Sequence, residues 1–177
     1  MTRRSRLQAE LHQRKPFRSR GQEATIALLR TASVVSRAVA RVVEPSGLSL
    51  AQYNALRIIR GAGAGGIPTL AVRERMIEEG TTITRLLDKL EVAGHVVRER
   101  STPDRRQVLC HITPKGESLI TALDAPMDAA NQRAGSHLDD EERQQLVELL
   151  GAVRASINNS RSEERAQGSV REGQPPR

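Results

Sequence analysis

The amino-acid sequence predicts a mainly α-helical fold that carries one small β-hairpin. Three observations lead there. Apolar residues recur at three- and four-residue steps along most of the 177 residues, the mark of helices with one buried face. The period falls to two only around residues 96–112, where two β-prone runs flank a Pro-Asp turn. Between the periodic stretches stand Pro-Ser-Gly, Gly-rich and Ser/Asp-x-x-Gln/Glu sequences, which stop and start helices.

Taken in order, residues 1–20 are polar, unpatterned and interrupted by Pro16, and are expected to form a basic disordered arm. Over residues 24–43, Leu28, Ala32, Val35, Val39 and Val42 trace the buried stripe of a long helix, which Glu44-Pro45-Ser46-Gly47 ends. Ser49 and Gln52 then form a capping box: the hydroxyl can accept from the Gln52 amide while the Gln52 side chain reaches back, with Leu48 placed to staple onto Tyr53. This second helix, with Tyr53, Leu56 and Ile59 inward, reaches about residue 60. After GAGAGG-I-P, a third short helix over residues 69–77 offers Leu70, Ala71, Met76 and Ile77 to the core.

Glu78-Glu79-Gly80 is the next turn, and Thr81 is placed as the N-cap of a fourth helix over residues 82–93. Ile83, Leu86, Leu87 and Leu90 face inward there, Thr81, Arg85, Asp88 and Lys89 outward, and Gly94 suits the left-handed residue that closes a helix. Residues 96–100 and 107–112 are the hairpin strands, with Pro103-Asp104 in the turn. Thr113-Pro114 supplies a cap and a first-turn proline for a fifth helix to about residue 135. Asp139 and Glu142 make another capping box, and Leu146, Leu149, Leu150, Val153 and Ile157 carry a final helix. Residues 160–177, rich in Arg, Glu, Gln, Gly and Pro, are expected to be disordered.

Composition excludes several functions. One Phe, one Tyr and no Trp argue against aromatic platforms for single-stranded nucleic acid. A single cysteine rules out an internal disulfide framework and a Cys-rich zinc site, and four scattered histidines leave no metal-ligand spacing. No cofactor is expected. No apolar run approaches a membrane span, and no apolar stretch follows the basic N-terminus, so a cytoplasmic protein without membrane contact is expected. The formal net charge of +7 is uneven: residues 1–20 carry +6, 57–115 carry +4 and 116–159 carry −5. A bounded basic stretch is the footprint of a DNA binder.

Three short helices followed by a two-stranded hairpin is the order of a winged helix-turn-helix, here about residues 48–116, flanked by helices at 24–43 and 114–157. Within this frame LSLAQYNALRII (48–59), TTITRLLDKLEVAGHVVRERSTPDRRQVLCHITPKG (81–116) and the wing run PDRR (103–106) resemble the MarR family of transcription regulators. The pattern departs at Ile112, where the family has Leu, and at His95, where an apolar residue is usual. The resemblance implies one domain over residues 21–159, a homodimer formed through the flanking helices, and a palindromic operator in double-stranded DNA. It further implies a ligand-responsive repressor with a pocket between those helices and the winged unit, suited to small anionic or aromatic effectors.

The residues have their own chemistry. Thr81, Thr82 and Thr84 bring hydroxyls to a helix start, where free amides also meet phosphate oxygens. Arg85 has the fork suited to guanine O6 and N7, and Lys89, one turn on, is a point charge for phosphate. By resemblance the fourth helix (81–93) reads the major groove and the wing (98–112) the minor groove, with Arg106 inserted and Asp104 orienting it. Arg105 and Arg98 are further candidates for backbone contacts. A narrow groove concentrates negative potential and attracts such an arginine.

Three other signals carry no chemistry. Gly61-x-Gly63-x-x-Gly66 imitates a dinucleotide fingerprint but follows a helix and precedes Ile67-Pro68. Cys110 shares a strand face with Val108 and Ile112, the setting of an inert thiol. Asp139–Glu142 belong to a helix's first turn, where carboxylates favour the dipole. No enzyme is expected. A winged module used only for protein association is the alternative class, and Arg85, Asp104 and Arg106 count against it.

Overall fold

A computed structural model describes residues 5–78, 80, 82–101 and 104–172, with 161–172 described by their backbone alone. Thr81, Pro103, Glu79, Arg3 and Arg4 lie outside the described residues. The chain divides into two compact units, Met1–Asn131 and Gln132–Arg177.

In the first unit, α1 (Arg6–Glu10) precedes α2 (Arg20–Val43), α3 (Leu50–Gly61), β1 (Ile67–Pro68), α4 (Thr69–Glu74), α5 (Ile83–Val92), β2 (Val96–Arg100), β3 (Val108–Ile112) and most of α6 (Pro114–Ala134). The second unit holds the end of α6 and α7 (Asp140–Glu172). The three strands form one antiparallel sheet in the order β1-β3-β2, with Ile67 opposite Cys110 and Arg98 opposite Cys110 on its other side. Among the described residues no helix is long and apolar enough to cross a membrane.

Local chemistry accounts for most boundaries. The Ser49–Gln52 capping box closes with bonds of 3.2 and 2.9 Å, and the Asp139–Glu142 box with 2.8 and 2.9 Å. Gly94 closes α5 at φ 74°. The α5 N-cap position is Thr82 and its side chain makes no capping bond. Pro126 sits inside α6, where it supplies no N–H to the carbonyl four residues back.

The core of the first unit is built from α3, α5, β3 and α6: Leu56, Ile59, Leu87, Leu90, Cys110 and Ile120 are wholly buried, joined by Val43 of α2 and Val72 of α4. Two polar contacts fasten the frame. Asn54, buried on α3, accepts from the Ile77 amide at 2.9 Å and so pins the chain entering α5. Arg60 of α3 grips Asp124 of α6 through two bonds of 2.8 Å.

Two glycines are required by close approach. A Cβ on Gly116 would lie 2.3 Å from the His95 carbonyl oxygen, so only glycine lets the first turn of α6 reach the α5–β2 turn. There Thr113 donates to the Gly94 carbonyl at 2.7 Å and Lys115 to the Ala93 carbonyl at 2.8 Å. Gly66, at φ 68° and ψ −176°, lies under the His111 ring, 2.4 Å from where a Cβ would stand. The Gly-rich stretch is therefore a turn leading into β1.

The structure departs from the sequence expectations in several places; Val35 and Leu70, expected inward, are exposed. The N-terminal arm is not featureless: Ser5 caps α1, Gln8 is buried, and Glu10 pairs with Arg30 of α2 at 2.8 Å. The first long helix begins at Arg20 because Ser19 caps it, accepting from Gln22 at 3.1 Å. The third helix stops at Glu74, leaving Ile77 exposed. Helix α7 continues to Glu172 through the stretch expected to be disordered, whose Glu, Arg, Gln and Ala are good helix formers despite their polarity.

Candidate nucleic-acid interface

Helix α5 turns its apolar stripe, Ile83, Leu86, Leu87 and Leu90, into the core. That burial leaves Thr82, Thr84, Arg85 and Lys89 exposed on the opposite face. Arg85 and Lys89 line a shallow concavity of about 250 Å3 with Ser49 and Gln52 from the start of α3. Ser49 and Gln52 were absent from the sequence-based candidates; their capping-box signature marks a helix N-terminus, whose amides favour anions.

On the other side of α5, Thr84 lines a groove of about 560 Å3 together with Arg98, Arg106, Gln107 and the apolar Leu70 and Val108. The first turn of α5 and the wing thus border one surface, so residues more than twenty positions apart in sequence come together. Asp104, Arg105 and Arg106 are all exposed at the wing. Asp104 organises it through the main chain: its carboxylate accepts from the Arg106 amide at 3.0 Å and from the Gln107 side chain at 3.1 Å. Asp104 thus fixes the backbone of the turn that carries Arg106. Among the described residues, no ion pair engages Arg85, Lys89, Arg105 or Arg106.

Arg98 is engaged within the protein. Its guanidinium bonds Glu91 at 2.5 Å and Asp88 at 2.6 Å, both on α5. The Arg98 bonds hold the Glu91 carboxyl below the usual range. Cys110 is wholly buried, 3.6 Å from the Thr69 hydroxyl, and burial pushes its thiol pKa up. This is the opposite of a reactive cysteine. Between α2 and the winged unit, where the resemblance places an effector pocket, the cavity lined by Ser36, Leu50, Asn54 and Met76 is only about 60 Å3.

Comparison with known proteins agrees with this geometry. The MarR family model matches residues 48–108, from the lead-in to α3 to the start of β3. The HTH-type transcriptional regulator PecS of Dickeya dadantii is 31% identical over 136 residues, covering 76% of this chain and 81% of that one. The HTH-type transcriptional regulator TtmR of Methylorubrum extorquens is 33% identical over 93 residues, covering 52% of this chain; the chain spans only 47% of that relative's length. A mutant MarR from E. coli, crystallised with operator DNA, shares the fold at a TM-score of 0.66 and 23% identity, over 72% of this chain and 90% of that one. The helix-turn-helix, the wing and these likenesses have one reading: the chain belongs to the MarR family of winged-helix transcriptional regulators.

Proposed function

We propose that two copies of this chain read a palindromic operator in double-stranded DNA, each placing residues 81–93 in the major groove and wing residues 98–112 in the adjacent minor groove. The observation that carries the reading is that Thr84 of α5 and Arg106 of the wing line one groove, while Arg85 and Lys89 stand exposed beside the start of α3. Thr81, Thr82 and Thr84 meet phosphate oxygens, Arg85 reads base edges, Lys89 and Arg105 contact the backbone, and Arg106 enters the minor groove. Half-sites lie about 34–36 Å apart.

Both units leave apolar side chains uncovered: Leu29, Val34 and Val35 on α2, and Leu146, Leu149, Val153 and Ile157 on α7. A second copy covers them in the homodimer. Occupancy represses transcription, in the cytoplasm where the DNA lies, and a small anionic or aromatic effector releases it by binding one dimer conformation better than the other.

The test is fluorescence anisotropy with a duplex that the chain selects from a randomised pool. Binding is expected to weaken steeply with salt as phosphate contacts release counterions. Arg106→Ala is expected to cost about 1–3 kcal/mol of affinity with the oligomeric state unchanged. Equal affinity in that variant would remove the wing from the interface.

A further inference from the structure

Arg98 lies on β2, an edge strand of the sheet, and all its side-chain ion-pair partners among the described residues lie on α5. Its Nε donates to Glu91 Oε2 at 2.9 Å, and its Nη2 to the same oxygen at 2.5 Å and to Asp88 Oδ1 at 2.6 Å. The Arg98 main-chain N–H donates to the other Glu91 oxygen at 3.1 Å. Glu91 therefore holds both the backbone and the side chain of one residue of the wing. Asp88 and Glu91 are three positions apart, on one side of the helix.

The arrangement is costly for a helix that meets a polyanion. Two carboxylates against one guanidinium leave a net negative cluster beside the surface that DNA would approach. Bonds between ionised partners are about twice as strong as neutral ones, so a phosphate would have to compete with two carboxylates for Arg98. We infer that Arg98 is a positioning residue: with Glu91 and Asp88 it sets the angle between α5 and the wing, so that Arg85 and Arg106 address DNA in one register, and it does not itself bind phosphate. The inference rests on the reading of DNA by α5 and the wing proposed above.

The two roles predict opposite signs for one substitution. Glu91→Gln removes a negative charge near DNA and, if Arg98 bound phosphate, would also free it; both effects tighten binding. A positioning role predicts weaker binding to the selected duplex, by about tenfold for a coupling between neighbours in contact, with affinity for a scrambled duplex unchanged or slightly raised. Loss of that ratio well below the thermal midpoint separates positioning from mere destabilisation. Arg98→Lys keeps the charge but loses the planar fork, and is expected to lower the same ratio.

Tighter binding of both duplexes by Glu91→Gln, or wild-type discrimination in Arg98→Lys, would overturn the inference. A measurement without DNA accompanies these: hydrogen exchange at the Arg98 amide is expected to accelerate in Glu91→Ala, which removes the acceptor, and an unchanged rate would also overturn the inference. Should the wild-type chain enrich no duplex from the pool, the proposed operator reading fails, and the amide exchange still decides whether the clamp exists.

Discussion

His95 stands in the turn between α5 and β2, at a position where the family pattern has an apolar residue. Its Nδ1 is buried without a hydrogen-bond partner among the described residues, and burial, with the nearby Lys115 ammonium, lowers its pKa below 6.5. The folded chain therefore holds this imidazole neutral more strongly than the unfolded chain does. The unfolded state binds more protons as pH falls through about 6.5, so stability is lost in that direction. His95→Leu removes an unpaired buried nitrogen of a kind that costs about 1–3 kcal/mol. Thermal unfolding between pH 8 and pH 5 should show the variant gaining most at the acid end, and a parallel pair of curves would show that the imidazole charges freely in the fold. Gly66 offers a second test at this scale. Alanine there would need a backbone conformation that costs about 1–3 kcal/mol and would press on the His111 ring, so Gly66→Ala should lower the melting temperature clearly. No signal for that requirement exists in the Gly-rich run itself, since the obstructing ring comes from β3, forty-five positions on.

At the scale of elements, one side-chain pair ties α3 of the helix-turn-helix to the flanking helix α6. The Arg60–Asp124 pair is bidentate, and its bonds hold the Asp124 carboxyl below its ordinary range. A depressed carboxylate contributes stability that is fully present above about pH 4 and is lost as pH falls through the folded value. Asp124 is 43% exposed, so solvent screening limits the expected loss in Asp124→Asn to about 1 kcal/mol at pH 7. The two proteins should converge in chemical denaturation once the pH has fallen below that folded value. Most helices were legible because periodicity and caps are local: Ser49–Gln52, Gly94, Thr113-Pro114 and Asp139–Glu142 all act where the sequence places them. Strand β1 was not, because two residues, Ile67 and Pro68, carry no alternation and pair only because β3 lies beside them. The early stop of α4 has a similar cause, since the Ile77 amide finds its partner in Asn54 of α3.

For the whole molecule, the net charge of +7 is a poor guide and its placement a better one. The wing and the exposed face of α5 present Arg85, Lys89, Arg105 and Arg106 without ion-pair partners among the described residues, whereas Arg98, equally basic, is engaged within the protein. Assembly is the other property at this scale. Leu149 on α7 is 59% exposed, and a charge there opposes burial against a second copy. Leu149→Glu should leave the winged unit folded, shift sedimentation towards the monomer, and weaken binding to a two-half-site duplex far more than to a single half-site. Equal weakening on both duplexes would contradict assembly through α7.

The sequence alone determined the helical frame, the hairpin, the family pattern and the identity of the exposed cations, because each depends on residues within about one or two helical turns of one another. Only the tertiary structure decided which cations are available. Arg98 and Arg106 stand eight positions apart in one basic stretch, and nothing local distinguishes them. One is engaged by carboxylates that packing brings from α5 to the edge of β2, while the other extends from a turn that Asp104 holds through the main chain.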